Sequence, residues 1–539
     1  MARKPKTGGL SKYPNTDLDV TMKFGGGLHT RATEDEIDPR EAADGFNFDL
    51  DFENRELRNR APFDLIGTVP NAAEIRGGGS MIAADGTVTM LIQAGDTVYA
   101  WDGASTFTSK GTVDSSAKLR GHWASHYWSL DDLLILTDLN LVEKVKSWNG
   151  SALSTISFVK TDASAFGNFY AKYCSVTTER AIFAGCRDLT TNKHMIVGSK
   201  VETYNTISVS NKPSSGLGVD DPFYLLTPDL RAINGFVQSF GTSIVSTEKG
   251  RIFQITGSSA QDFAVTDFYA GSYASGEESM IYIGNDVIYG RPGRIESVRD
   301  TNRFGDAEAD DLTAKVADSV ENYNTWRSVF NSRLNRVYVF PDDASEVWVF
   351  DTAVRDAGGV SPWMRWVTDH PLAFQPTFVM SMIDPGDGLE YVFMGDSSGN
   401  LYRLEGSGDS GDGGAYDISM EFQSKMLSAP VDAQFSNIEG WVKYRKGDAS
   451  EVDIIMEFAG TGIFSHSLTI SIPEVEGRRY WGDAVYYGDG TVYGTKQGKL
   501  ARQPFFSAGQ SNDFQIRVRC AGLTTLQLSE IGLRFNAAS

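Results

Sequence analysis

Six histidines, His29, His122, His126, His194, His370 and His466, are the side chains best suited to metal or proton chemistry. Only His122-Trp-Ala-Ser-His126 has a spacing of interest, and positions four apart converge on one ion only on a helix. That segment is aromatic-rich and reads as a strand, where the two rings would share a face but stand about 13 Å apart, too far to chelate one metal. The three cysteines, Cys174, Cys186 and Cys520, contain no CxxC pair. They imply neither a thiolate zinc site nor a disulfide framework, and read as small buried apolar residues of a chain made in a reducing compartment.

Phosphate and acyl chemistry find no better footing. Gly494-Thr-Lys-Gln-Gly-Lys-Leu has the wrong spacing for a nucleotide phosphate loop and lacks its magnesium-binding hydroxyl. No GxSxG nucleophile elbow occurs. Asp49, Asp51, Glu53, Asn54 and Glu56 set oxygen ligands at alternate positions, but the glycine that turns a calcium loop is missing, so the run reads as a solvated acidic segment. With 70 Asp plus Glu, counting leaves a glycosidase-like pair of carboxylates open, and nothing singles one out. The glycine triplets Gly25-Gly26-Gly27 and Gly77-Gly78-Gly79 lack a strand-to-helix context and point to turns or close backbone approach. No residue is therefore assigned a catalytic, cofactor-binding or metal-ligating role. The chain reads as a non-enzyme with no cofactor.

What the residues describe instead is architecture. Lys plus Arg number 49, giving a net charge of -21, so the positive field that holds nucleic-acid phosphates is absent. The 539 residues hold no apolar run near the roughly 18 that span a bilayer, so membrane insertion is not expected. Arg3, Lys4, Lys6 and Lys12 precede no apolar stretch, so the start reads as a flexible basic arm and not as a secretory signal. The 55 glycines and 12% aromatic residues favour many short strands joined by tight turns.

Residues 1–75 show little strand periodicity and carry an acidic run, so an extended N-terminal arm is expected there. From 76 to 405, alternating apolar and polar runs mark β-hairpins. They lie at Thr87 to Trp101, Leu133 to Trp148, Arg180 to Val197, Ser243 to Ile255, Met280 to Val298, Arg336 to Phe350 and Glu390 to Leu404. The pairs Asp85-Gly86, Asp387-Gly388 and Asp489-Gly490 fit hairpin turns. A lone hairpin buries no face in water, and a recurrence of about 40 to 60 residues is the size of a four-stranded blade. Roughly 330 residues thus predict a β-propeller of six or seven blades, with stacked sandwiches as the rival all-β arrangement. Asp310 and Asp311 are expected to cap one helix carrying Leu312, Val316 and Val320 toward Trp326. The Gly/Ser/Asp tract at 406–415 reads as a flexible linker, and 416–539, again alternating, as a C-terminal β-sandwich.

Phe24-Gly25-Gly26-Gly27-Leu28-His29-Thr30, then Ile37-Asp38-Pro39, Asp44-Gly45-Phe46-Asn47-Phe48-Asp49 and Leu57-Arg58-Asn59-Arg60, resemble the opening of many phage tail and head-completion proteins. A helix near Asp310 to Trp326, then Arg336 to Phe340, Glu346 to Asp351 and Trp363-Met-Arg-Trp366, look similar to the middle of that group. Phe506 to Ser511, Phe514 to Val518 and Ile531 to Phe535 are similar to its closing module. The group is the β-propeller nozzle and packaged-DNA stabilisation, or tail hub, proteins of short-tailed phages. The resemblance implies a structural virion protein, assembled in the host cytoplasm as a homo-hexamer below the portal and adaptor proteins. Such a ring would extend the tail channel, help retain the genome and then pass double-stranded DNA without tight binding, and support fibres or spikes. It implies no catalytic residue. Two other classes stay open: a carbohydrate-binding or glycoside-cleaving propeller, and a scaffold propeller for peptides.

Overall fold

The computed structural model describes residues 16–538 except 23, 34–35, 52–55, 84, 105, 125–132, 163, 177–179, 188–193, 240–241, 285, 302–305, 356–359, 407–411, 415, 429–433, 447–451, 460–464, 473–477, 481–491, 495–500, 512 and 522–525. The chain divides into two units. One comprises Phe63–Trp348 and His370–Ser407, the other Met1–Pro62, Val349–Asp369 and Gly408–Ser539.

The strands of the first unit form a seven-bladed β-propeller. Blade 1 is Ile75–Ile82, Val88–Ala94, Thr97–Trp101 and Phe107–Thr112; blade 2 is Leu119–Ala124, Leu133–Asp138, Lys146–Trp148 and Leu153–Thr155. Blade 3 is Tyr173–Val176, Ala181–Cys186, Met195–Gly198 and Phe223–Leu226; blade 4 is Ile233–Ser239, Thr242–Thr247, Ile252–Thr256 and Ala264–Tyr269. Blade 5 is Met280–Ile283, Asp286–Arg291, Arg294–Thr301 and Asp306–Asp311; within this unit blade 6 holds Trp326–Asn331, Arg336–Pro341 and the strand that starts at Glu346. Blade 7 is Phe378–Ile383, Glu390–Gly395 and Asn400–Arg403, completed by Asp64–Thr68 from the far end of the chain. The first strand of each blade touches the first strand of the next, and blade 7 returns to blade 1, so the ring closes.

Closure uses the N-terminal strand as a clasp. Asn400 pairs with Thr68, Leu401 with Gly67, Tyr402 with Leu65 and Arg403 with Asp64, so the first and last parts of the propeller sequence share one ladder. Between blades the core is apolar: Ile75, Ile92 and Trp101 of blade 1 pack with Phe378, Phe393 and Leu401 of blade 7. Each such side chain contributes about 1.5–3 kcal/mol by leaving water. Gly77-Gly78-Gly79 sits on the first strand of blade 1, where a Cβ on Gly79 would lie 2.6 Å from the Gly121 Cα. Only glycine lets blades 1 and 2 meet there, through the parallel bridge Arg120 to Gly78. Gly86 (φ 84°) and Gly388 (φ 73°) occupy the left-handed region in the turns read from Asp85-Gly86 and Asp387-Gly388; Asp489-Gly490 lies outside the described residues.

The second unit holds two six-stranded sheets. One runs Phe48–Asp51, Glu56–Asn59, Leu526–Ala538, Gln434–Lys446, Ala501–Ser511, with Thr16–Met22 also on Leu526–Ala538. The other runs Asp44–Phe46, Met420–Gln423, Asp513–Ala521, Val452–Ala459, Ser465–Ile472, with Leu427–Ser428 also on Asp513–Ala521. Phe48 of the first meets Phe422 of the second edge-on, ring centroids 5.7 Å apart, in the manner of a sandwich core.

Three sequence expectations are corrected. Residues 1–75 are not one extended arm: four strands from Thr16 to Asn59 join the sandwich and Asp64–Thr68 joins the propeller. Those pieces are three to seven residues long, too short for alternation to register. The helix expected from Asp310 is a strand to Asp311, paired with Arg294–Thr301, followed by turns and one helical turn at Ala317–Val320. Val316 and Val320 are buried as their spacing suggested, but Asp311 caps a turn, its Oδ1 accepting hydrogen bonds from the Thr313 N–H and hydroxyl. The tract at 406–415 is no simple solvated linker, because Asp412 is buried and ion-paired.

Candidate functional site

Ionic side chains converge where the first strands of the propeller blades begin. Arg120 opens blade 2, and Glu278 lies just before blade 5, about as far around a seven-membered ring as two blades can be. Arg120 Nε donates to Glu278 Oε1 at 2.7 Å, and Nη2 bonds the same oxygen, so the pair crosses the propeller axis. Arg120 Nη1 donates to the Arg76 carbonyl of blade 1 at 2.9 Å, and the guanidinium lies over the Phe378 ring of blade 7. The Ser328 N–H of blade 6 donates to the Glu278 carbonyl at 2.8 Å. Lys172, ahead of blade 3, is ion-paired with Glu277, whose carbonyl accepts from the Tyr173 hydroxyl at 3.1 Å. Six blades are thus tied by one cluster of contacts at this end of the propeller.

The neighbouring His122 confirms the strand expected there: it pairs with Ile135 across blade 2. Burial, with the Arg120 charge beside it, pulls its imidazole down to about 4, so it is neutral near pH 7. His126 lies outside the described residues, as do Glu53, Asn54, 495–500 and the basic positions Arg3, Lys4, Lys6 and Lys12. The cysteines are free and buried, and burial pushes the Cys174 and Cys186 thiols well up. Among the described residues no three His, Cys, Asp or Glu side chains converge as a metal site would require. The stretch from 49 to 56 is not a solvated segment at two of its acids: Asp49 and Glu56 are buried, and Asp49 is paired with Arg58.

Beside the axial cluster lies a cavity of about 670 Å³ that sequence reasoning did not find. The turn after the second strand of blade 4 gives Glu248 and Lys249, and the entry to blade 4 gives Arg231, Ala232 and Asn234. The segment entering blade 5 gives Tyr273, Ser275, Gly276 and Glu277; Pro292, Asn324 and Thr325 complete the wall. These residues sit in connections of unequal length, so no periodic signal links them. Asn234 is buried and its Nδ2 donates to the Ala274 carbonyl at 2.6 Å, but its Oδ1 and the buried Ser275 Oγ have no partner among the described residues.

A second polar centre belongs to the sandwich unit and is built from the residues that carry the family resemblance. The Leu28 N–H donates to the Trp363 carbonyl at 2.7 Å, and a Cβ on Gly27 would fall 2.0 Å from that oxygen, which explains the glycines at 25–27 as close approach. Glu41, buried, accepts from the Ser361 N–H and lies 2.9 Å from His29 Nδ1. Asn47 Oδ1 accepts from Arg60 Nε at 2.9 Å and the Val367 N–H at 2.7 Å. Arg60 is fully buried, bidentate to Asp412 and bonded to the Val367 carbonyl at 2.9 Å. Glu41 with His29 and Arg60 with Asp412 are ion-paired there, so the arrangement ties chain segments together.

No family model and no curated protein matches this chain. Among solved structures it is similar to the β-propeller domain of Myceliophteria_thermophila Cps50 (Swd1), at 12% identity and TM-score 0.37 over 64% of this chain and 100% of that one. It is also similar to the computationally designed Ika8 protein, at 12% identity and TM-score 0.32 over 63% and 99%. The extracellular domain of the hybrid two-component system BT4673 from B. thetaiotaomicron matches at 10% identity and TM-score 0.40, over 79% of this chain and 58% of that one.

Proposed function

We propose that this chain is a non-enzymatic structural component of a phage tail, a nozzle or hub subunit that assembles with copies of itself around a DNA conduit. The observation that carries the reading is the sandwich unit's polar centre. Gly27, Asn47 and Arg60 stand far from Trp363-Met-Arg-Trp366 in sequence, yet they bond to or abut that segment. These contacts support reading the scattered signature as one structural module. The Arg120–Glu278 pair, joining blade 2 to the entry of blade 5, is consistent with a conduit that runs between copies and not through a single propeller. The virion location and the portal, adaptor and fibre partners belong to this proposal.

The test is the mass of the purified protein, alone and mixed with portal and adaptor proteins of a short-tailed phage. A stable cyclic assembly, six-fold in the expected case, supports the reading. A protein that stays monomeric alone and in the mixture overturns it.

A further inference from the structure

We infer that Asn149 is a site of spontaneous covalent modification, a deamidation assisted by the turn that holds it, and that the fold spares the chain's other Asn-Gly pair. The sequence contains two such pairs, Asn149-Gly150 and Asn234-Gly235. In this reaction the Gly150 nitrogen attacks Asn149 Cγ and forms a carbon–nitrogen bond, closing a cyclic imide. The side-chain nitrogen leaves as ammonia, carrying away the proton that the Gly150 nitrogen gives up. Water then opens the imide, at Cγ to give aspartate or at the Asn149 backbone carbonyl carbon to give isoaspartate. Glycine in the second position leaves the attacking nitrogen unobstructed, because it has no Cβ.

The two pairs sit in opposite surroundings. Asn149 and Gly150 are exposed, in the loop that joins Lys146–Trp148 to Leu153–Thr155 at the edge of blade 2, so water reaches them. Gly150 has φ 89°, and its N–H donates to no partner among the described residues. Asn149 Oδ1 accepts from the Ser151 N–H at 3.1 Å, the Ser151 hydroxyl at 3.0 Å and the Ala152 N–H at 2.9 Å. Negative charge collects on that oxygen as the nitrogen adds to Cγ, and donors already in place stabilise it as they do any tetrahedral oxyanion. Asn234 is 5% exposed, and its Oδ1 has no donor among the described residues. Its Nδ2, the group that would have to leave, is held by the Ala274 carbonyl at 2.6 Å. Gly235 lies inside the strand Ile233–Ser239 and pairs with Ser246, so its nitrogen reaches Cγ only if the ladder gives way. The inference concerns blades 2 and 4 of one propeller and does not depend on the tail assignment.

The experiment incubates the full chain, folded and in guanidinium chloride, in mildly alkaline buffer made with heavy-oxygen water, so that each hydrolysed imide carries the label. Cleavage after lysine and arginine places Asn149 in the peptide Ser147–Lys160 and Asn234 in Ala232–Lys249, and mass spectrometry follows each one. Both peptides should convert at similar rates in the unfolded chain, and the time this takes sets when the folded chain is read. In the folded chain Asn149 should convert at least about tenfold faster than Asn234. Ser151→Ala removes one of the three donors and should slow conversion in the folded chain by about three- to tenfold, while leaving the unfolded chain unchanged. Asn149 intact in the folded chain at that time overturns the proposal, as does Asn234 converting as fast as Asn149. Conversion in folded Ser151→Ala at or above the unsubstituted rate overturns the assistance by the turn.

Discussion

A single arginine carries much of the propeller's axial order. Arg120 makes hydrogen bonds to a carboxylate of blade 5 and a carbonyl of blade 1 and lies over an aromatic ring of blade 7. Both partners of the ion pair are largely withdrawn from water, at 9% and 18% side-chain exposure. Removing one of them strands the other, which for buried pairs costs about 3–5 kcal/mol. Arg120→Ala should destabilise the propeller by about 3 kcal/mol, the low end of that range because Glu278 retains some solvent. The double variant Arg120→Met with Glu278→Gln should recover more than half of the loss, since no unpaired charge remains. Urea denaturation of the three proteins reads both effects; a neutral Arg120→Ala would mean the axis is held by the apolar blade interfaces alone.

At the scale of elements, the sequence revealed the middle of each blade and hid its edge. Six of the seven hairpins read from alternation and turn chemistry coincide with second and third strands, as in Val88–Ala94 with Thr97–Trp101 and Glu390–Gly395 with Asn400–Arg403, and the seventh, Met280 to Val298, covers the first three strands of blade 5. Those strands are covered on both sides, so their residues are uniformly apolar or cleanly alternating, as in Leu133 to Asp138, every one buried. Outer strands such as Phe107–Thr112 and Ala264–Tyr269 are mostly exposed, and their polar sequences look like loop. Asp64–Thr68 was illegible for a further reason: its partner lies more than 330 residues away, and nothing local records the pairing. The cavity was hidden in the same way, since Asn234, Lys249, Ser275 and Asn324 share no motif. The clasp predicts how blade 7 fails. Gly67 faces Leu401 in the ladder and sits against Phe107, where a Cβ would lie 3.1 Å from the ring. Gly67→Pro adds bulk there and strips a backbone donor from the strand. Hydrogen exchange should accelerate at Asn400–Arg403 by at least about tenfold, a local opening cheaper by about 1.4 kcal/mol, while blades 3 and 4 keep their protection. Equal acceleration in every blade would show that the ring opens only as a whole.

For the whole molecule the dominant quantity is charge. Six copies would carry six times -21, a formal charge of -126, and a conduit inside such a ring would repel the phosphate backbone at distances within the Debye length, about 8 Å in physiological salt. Proteins that neutralise 6–10 phosphates lose about 10³–10⁵ in affinity between 50 and 200 mM salt; this chain, lacking the positive field, should show no such dependence because it has little affinity to lose. A labelled duplex of about 25 base pairs, mixed with the full chain in about 50 mM NaCl, should migrate unretarded at protein concentrations where non-specific DNA binders, with Kd of about 10⁻⁴–10⁻⁶ M even at physiological salt, are saturated. A chain lacking residues 2–12 separates the contribution of Arg3, Lys4, Lys6 and Lys12 from that of the folded units. Retention that vanishes with this deletion would confine adhesion to residues 2–12 and leave the proposed low-adhesion conduit intact. Retention that survives it and falls steeply with salt would place a cationic track on the folded units, and the conduit would then have to grip DNA instead of letting it slide. If the proposed ring forms in a phage tail, the corollary is kinetic: replacing acids that line its lumen with lysine should slow ejection, because each added cation exchanges repulsion for a phosphate contact that must be broken as the genome moves.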